Sequence, residues 1–183
     1  MASLVLTVVA HDRPGLVAAL SDAITDHGGS WAESQMSRLA GSFAGVLLVE
    51  LDPSRSDALV AAMRELTGEG VLEVSVAPAQ EEPADLGSPL RLRLTGQDRP
   101  GIVRDVSRIL AEHGAGIDQL VTWTHEAPMA GGMLFNADAV VRLSGGAEEV
   151  RDALEAIAAE IMVEIDLDDD PGAEGSPWGG RVD

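Results

Sequence analysis

The sequence predicts an α+β fold of two β-α-β-β-α-β units, each with two helices on one face of a four-stranded antiparallel sheet. Three observations support it: an internal repeat, a switch between strand and helix periodicity within each copy, and glycines or prolines at the segment ends. The chain has 183 residues, of which 45% are apolar. We expect a packed protein, since no apolar run is long enough to span a bilayer and the first residues lack the features of a signal peptide.

The repeat is clearest in one heptapeptide. Residues 11–17, HDRPGLV, recur as residues 97–103, QDRPGIV, at an offset of 86. The same offset aligns the apolar positions of the preceding strand and the following helix. Later in each copy the offset is 91, which predicts a net insertion of five residues near 125–131. We therefore interpret the chain as a duplication.

Each copy begins with a segment of strand character, Leu4–Ala10 or Leu90–Thr95, and the second alternates strictly between apolar and polar residues. After each DRPG, apolar residues at i, i+1, i+4, i+7 and i+8 predict a helix of about thirteen residues. Gly28 and Gly114 are expected to end these helices as left-handed caps. A hairpin, a second helix and a last strand complete each copy. Their predicted ranges are Trp31–Leu39, Phe43–Leu51, Ser54–Thr67 and Val71–Ala77, then Ile117–Thr124, Met133–Leu143, Gly146–Glu160 and Met162–Leu167.

The duplication also predicts the domain organisation. Residues 1–79 form the first module and residues 89–168 the second. Residues 80–88 have the composition of a linker, with proline, glycine and acidic residues and no apolar period. Residues 169–183 are rich in aspartate, glycine and proline and are expected to be a disordered acidic tail.

The composition excludes several kinds of chemistry. All 12 basic residues are arginine, and there is neither lysine nor cysteine, so Schiff bases, P-loops, thiol nucleophiles, disulfides and thiolate metal sites are absent. No metal, cofactor or catalytic constellation is expected. The net charge of −19 repels phosphate backbones and argues against direct nucleic-acid binding. We expect a cytoplasmic protein with small molecules or other proteins as partners.

The repeated loop has features of a ligand site. Pro14 and Pro100 are predicted to lie just inside the helices that follow. Glycine in a helical turn costs about 1 kcal/mol relative to alanine. We therefore interpret Gly15 and Gly101 as leaving room for a ligand or another strand to approach the backbone.

The chemistry of this loop fits a small zwitterion. Free N–H groups and the positive dipole end at a helix start favour a carboxylate. Asp12 and Asp98 stand beside the helix starts and could bind an ammonium group, so a free α-amino acid suits the loop. The alternative is purely structural, because aspartate is a common helix cap and Pro-Gly a common turn pair.

The repeated DRPG after a first strand, in a unit of this size, resembles the ACT domain, a regulatory module that commonly binds amino acids. Two such units in tandem resemble the glycine cleavage system transcriptional repressor family, with supporting stretches at 36–45, 126–128 and 134–135. The resemblance spans Ser3 to Asp168 and implies a ferredoxin-like fold with a ligand at the interface of two modules. The ligand-binding residues that it implies are His11, Asp12, Gly15, Leu16, Gln97, Asp98, Gly101 and Ile102.

These observations together predict a non-enzymatic amino-acid sensor, with glycine and serine as the first ligands to test. It is expected to be a homodimer that acts on a partner regulatory protein, which the resemblance suggests is a transcription factor of glycine cleavage. A ligand-independent assembly module is one alternative. An enzyme fragment of the formyltetrahydrofolate deformylase type is another, since DRPG modules also precede such catalytic domains.

The two predicted sheets differ on the face away from the helices. The first strand places Val5, Thr7 and Val9 where its repeat has Arg91, Arg93 and Thr95. The first module is therefore expected to leave the more apolar open sheet, which could contact the other module or another chain.

Overall fold

The computed structural model describes residues 1–68, 72–80, 87–127, 131–143 and 146–168. It separates into two compact units, Met1–Glu82 and Pro83–Asp183, which we call the first and the second unit. The predicted module boundaries stay predictions. Most of the predicted linker and all of the predicted tail, residues 169–183, lie outside the described residues.

The first unit has the predicted element order. Its sheet is antiparallel, with strand order β2-β3-β1-β4. A short 3-10 turn, Pro53–Arg55, precedes its second helix. The predicted strand start at Val71 lies outside the described residues, and the strand is seen from Glu73. The elements are β1 (Ala2–His11), α1 (Leu16–Asp26), β2 (Ser30–Leu39), β3 (Ser42–Leu51), α2 (Ser56–Gly68) and β4 (Glu73–Pro78).

The second unit repeats this topology, with strand order β6-β7-β5-β8. Each unit combines an antiparallel sheet with two α-helices, so the predicted α+β fold class is confirmed. The elements are β5 (Ser88–Gln97), α3 (Ile102–Glu112), β6 (Ala115–Glu126), β7 (Met133–Leu143), α4 (Ala147–Ile161) and β8 (Val163–Asp168).

Each unit has its own hydrophobic core between its helices and one face of its sheet. Alternation along β1 buries Leu4, Leu6, Val8 and Ala10, as expected of a strand with one covered face. The helices contribute their apolar stripes to the same cores. In the first unit the helical core residues are Leu16, Leu20, Ile24, Leu59 and Met63, and in the second they are Ile102, Val106, Leu110, Val150 and Leu154.

The uncovered sheet faces differ as the sequence predicts. In the first unit this face carries Val5 and Val9, and Val9 is 45% exposed. In the second unit Arg91 stands in place of Val5 and is paired with Asp138, and Arg93 stands in place of Thr7 and is paired with Asp166.

Glycine ends the first helix of each unit, also as predicted. Gly28 has a φ of +72° and Gly114 a φ of +68°. The N–H groups of Gly28 and Gly29 donate to the carbonyl oxygens of Thr25 and Ile24, which is the Schellman arrangement. His27 precedes this cap, and its Nδ1 lies 2.8 Å from the Ala23 carbonyl oxygen.

The hairpins between the middle strands have different lengths. Ala40 and Gly41, with φ values of +49° and +80°, form the short turn between β2 and β3. Two positive φ values identify a type I′ turn, which fits the right-handed twist of paired strands. In the second unit the connection runs from Ala127 to Gly132, so the predicted insertion lies in this hairpin.

Candidate ligand-binding site

The repeated loop is a sharp turn that ends at the cap of the following helix. Gly15, with φ +92° and ψ −2°, is the N-cap of α1, and Gly101, with φ +96° and ψ 0°, is the N-cap of α3. These angles match the third position of a type II turn, which favours proline at the second. Pro14 and Pro100 therefore precede the caps, and the prediction that they lie inside the helices is wrong.

The backbone conformation explains why glycine occurs twice. A positive φ of this size strains any residue with a Cβ, whatever space surrounds it. A Cβ on Gly15 would meet no atom within 4 Å. The repeated glycine is thus required by the turn itself. No strand of the described residues approaches Gly15, and the interpretation that its missing Cβ leaves room for a ligand stays a prediction. The space in front of Gly15 is open.

No side chain caps α1 or α3 through a hydrogen bond. The alternative interpretation of Asp12 and Asp98 as helix caps is therefore wrong. The Asp12 carboxylate instead accepts a hydrogen bond from Nη1 of Arg38 at 3.1 Å. The backbone N–H groups of Asp12 and Asp98 donate to the carbonyl oxygens of Gly41 and Met133, so each loop is anchored to the hairpin of its own sheet.

The structure divides the other predicted ligand residues into two kinds. His11 and Gln97 lie at the exposed ends of β1 and β5. Leu16 and Ile102 are only 4% and 2% exposed and pack in the hydrophobic cores. Their side chains cannot reach a ligand at the surface. Only their backbone N–H groups, at the start of each helix, are placed to do so.

A cavity of about 350 Å³ lies at the end of β1 in the first unit. Its wall includes the ends of β1 and α2 and the start of β3 and β4. The charged side chains among its lining residues are the Arg13 guanidinium and the Glu73 carboxylate, and the His11 imidazole lines it as well. The lining residues are Val9, Ala10, His11, Arg13, Ser42, Thr67, Leu72 and Glu73.

The second unit contains a buried carboxylate at the start of α3. Asp105 is 9% exposed. It accepts hydrogen bonds from Nη2 of Arg99 at 3.0 Å and from Nε and Nη2 of Arg104 at 3.0 and 2.8 Å. These hydrogen bonds hold the pKa of Asp105 below its ordinary value, and those from Arg104 have a larger effect than the one from Arg99. Arg99, the arginine of the second DRPG, is therefore bound to a carboxylate of its own unit.

The position that matches Asp105 in the first unit has no carboxylate. Arg13 is the counterpart of Arg99, and the position of Asp105 is occupied by Ala19; the N–H groups of both donate to the N-cap carbonyl four residues earlier. Within the described residues Arg13 has no ion-pair partner. Neither arginine was predicted from the sequence to be a functional residue. The sequence signal that could have identified them is the difference between Ala19 and Asp105 in otherwise aligned helices.

Within the part of the chain that the structure describes, no group of three or more histidine, aspartate or glutamate side chains is arranged to hold a metal ion. None of the described helices combines the length and the apolar character needed to cross a lipid bilayer.

Two split βαβ units in tandem, with the same turn before each first helix, define a protein of duplicated small α+β domains. Models of the ACT domain match both units, one over residues 2–77 and another over residues 90–161. The chain belongs to the ACT-domain family and has two of these domains in tandem.

Relatives and solved structures agree with this assignment. A crystal structure of an unknown protein from Galdieria sulphuraria is 32% identical, with a TM-score of 0.81, and covers 91% of this chain and 97% of that one. A "putative glycine cleavage system transcriptional repressor" is 16% identical, with a TM-score of 0.69, over 91% of this chain and 96% of that one. A UPF0237 protein of Methanopyrus kandleri is 37% identical over 65 residues, which are 36% of this chain and 70% of the relative.

Proposed function

We propose that this protein is a non-enzymatic, cytoplasmic regulator that binds a free amino acid and acts through contact with another protein. The observation that carries the proposal is the build of the repeated loop within an ACT domain. In both units the loop ends in a left-handed glycine, and no side chain caps the helix that follows. The first N–H groups of that helix therefore donate to no capping side chain and are able to donate to the carboxylate of a ligand.

The residues proposed to surround the ligand are those of the two loops. The end of the strand supplies His11 or Gln97, and the next residue is Asp12 or Asp98. The cap glycines, Gly15 and Gly101, and the first helical N–H groups, of Leu16 and Ile102, complete the set. Because His11 and Gln97 differ chemically, the two loops need not bind equally.

Regulation would follow from linkage. A ligand that binds one state of the protein more tightly shifts the population toward that state, and a partner that distinguishes the states responds. The net charge of −19 favours a protein partner over direct contact with nucleic acid. The name of the neighbour with a TM-score of 0.69 supports, for this chain, a role in transcriptional control of glycine cleavage. Glycine and serine are the ligands that we propose to test first.

A thermal-melt screen against the twenty common amino acids tests the proposal, with glycine and serine first. A ligand at a hundred times its Kd stabilises the folded state by about 2.7 kcal/mol. For a chain of this size the midpoint should then rise by about 5–10 °C. Asp12→Ala and Asp98→Ala test the loops, and at least one of them should remove the shift. A flat screen at millimolar concentrations would reject amino-acid binding.

One observation supports a second candidate, a ligand-independent assembly module. The uncovered sheet face of the first unit exposes Val9 and Val46 at 45% and 44%, with Val5 and Leu48 half-buried beside them. Such a patch fits a contact between copies in a homodimer. The double variant Val5→Arg/Val9→Glu should then halve the mass measured by light scattering. An unchanged mass would exclude this face from the assembly.

A further inference from the structure

The two DRPG arginines differ in what they bind. In the second unit, Arg99 forms an ion pair with Oδ2 of Asp105 at 3.0 Å, and Arg104 forms one with Oδ1 of the same carboxylate at 2.8 Å. In the first unit the positions of Arg104 and Asp105 are occupied by Ala18 and Ala19. The first unit thus has the arginine but no carboxylate at the position of Asp105. No acidic side chain in the described residues pairs with Arg13.

The space in front of the two helix starts differs in the same sense. A Cβ built on Gly101 would lie 3.1 Å from Nη2 of Arg104 and 3.8 Å from Oδ2 of Asp105. These side chains therefore cover the start of α3. A Cβ built on Gly15 would meet nothing within 4 Å. In the second unit the ion pair between Arg104 and Asp105 covers the start of the helix, whereas the start of the helix in the first unit is open.

The cavity in the first unit supplies what a zwitterion needs. Its volume of about 350 Å³ lies in the range of small-molecule sites, about 300–1,000 Å³. Arg13 offers donors for a carboxylate, and Glu73, on the strand beside β1, offers a partner for an ammonium group. At the matching positions of the second unit, Ser42 and Thr67 are replaced by the apolar Leu134 and Ala158, which offer no hydrogen bonds to a polar ligand.

We propose that the cavity lined by His11, Arg13, Ser42 and Glu73 is the amino-acid site of this chain, with Arg13 binding the carboxylate and Glu73 the ammonium group. In the second unit Arg99, the counterpart of Arg13, is already paired with Asp105. This inference rests on the proposed function and narrows it to one site per chain. Position 19 or 105 decides whether the loop arginine is free for a ligand, since alanine leaves it open and aspartate occupies it.

Calorimetric titration of the full chain tests this, with the amino acid from the twenty-member screen that gives the largest melting shift as titrant. The wild-type chain should bind one ligand per chain. Arg13→Ala should weaken binding by about tenfold or more, because a charge-assisted hydrogen bond is lost. The matched variant Arg99→Ala should bind within about twofold of wild type, since Arg99 already serves Asp105.

A transplant of the second unit's carboxylate gives an independent test. Ala19→Asp should place an acid within reach of Arg13, as Asp105 is of Arg99, and abolish binding. Ala18→Asp adds the same charge one position earlier, outside that geometry, and should bind like wild type. Melting curves without ligand verify that each variant is folded.

The outcomes separate this inference from the proposed function. If no amino acid binds, both are overturned. If an amino acid binds but Arg13→Ala and Ala19→Asp leave its affinity unchanged, the proposed function stands and this site is wrong. Two ligands per chain, or loss of binding in Arg99→Ala, would likewise overturn the assignment to the first unit.

Discussion

Arg91 on β5 and Asp138 on β7 form a two-point ion pair, with Nε 3.0 Å from Oδ1 and Nη2 2.6 Å from Oδ2. The pair is diagonal, because the residue directly opposite Arg91 is Val140. The Arg91 and Asp138 side chains are 22% and 14% exposed. This pair occupies the uncovered sheet face, where the first unit has Val5 and Val46 at the matching positions. The same fold thus has a polar, cross-linked face in one unit and an apolar face in the other.

Removing this pair should destabilise the second unit. Asp138→Ala eliminates two charge-assisted hydrogen bonds in a half-buried position, and we expect a loss of about 2 kcal/mol. Asp166→Ala is the matched control, because its pair with Arg93 is 3.3 Å long and exposed; it should cost less than about 1 kcal/mol. Urea denaturation measures both. Equal losses in the two variants would contradict the ranking by burial.

The stability of the second unit should depend on pH through Asp105. Its pKa is lowered by hydrogen bonds from Arg104 and Arg99, so the folded state favours the ionised form. A lowered folded-state pKa contributes stability that is present above the unfolded-state pKa, about 4. That stability is lost as the pH falls through the folded-state pKa.

Asp105→Asn cannot carry this charge. We therefore expect the wild type to be more stable than Asp105→Asn at pH 7 and the difference to shrink as the pH is lowered below about 4. Denaturant titrations of both proteins at a series of pH values measure it. A difference that is constant across the series would show that Asp105 does not contribute through its charge.

The short turn between β2 and β3 offers a stabilising substitution. Ala40 has a φ of +49°, where a Cβ is unfavourable, and a type I′ turn favours asparagine followed by glycine. Ala40→Asn should raise the free energy of unfolding by about 0.5–1 kcal/mol. Gly41→Ala is the opposite control and should lower it by about 1 kcal/mol, since Gly41 has a φ of +80°. Thermal or urea denaturation distinguishes the two directions, and a loss of stability in Ala40→Asn would argue against this turn type.

Much of the fold could be predicted because its signals are local and occur twice. Alternation of apolar and polar residues along β5 determines which of its residues face the core, and the repeat extends that assignment to β1. A glycine at the end of α1 and α3 suffices to define the cap. Pro14 was predicted at the first helical position, which is in fact Leu16, two residues later. The prediction failed because proline suits both the first helical position and the second position of a type II turn. Only the φ of Gly15 distinguishes the two.

The candidate site was less predictable, because it depends on side chains from distant parts of the chain. Arg13 and Glu73 are sixty positions apart and meet at one cavity only once β1 and β4 pair. Asp12 was expected beside a ligand, and its observed partner Arg38 lies on β2. Spacing along the sequence contains no information on such contacts. The Ala19/Asp105 difference was visible, but its meaning requires knowing that Asp105 reaches Arg99.

Gly96 on β5 lies directly against Val163 on β8. A Cβ on Gly96 would clash with the Val163 side chain, although the matching residue of the first unit, Ala10, has a Cβ. Gly96→Ala should therefore destabilise the second unit by about 1–3 kcal/mol through overpacking.

Shortening the neighbour should relieve this strain. The double variant Gly96→Ala/Val163→Ala should lose less stability than the sum of the two single variants, because the new methyl group occupies space that Val163 vacates. Gly116→Ala is the matched control, since a Cβ there meets nothing within 4 Å; it should leave the free energy of unfolding within about 0.5 kcal/mol of wild type. Additive losses in the denaturation cycle would show that the two side chains do not compete for the same space.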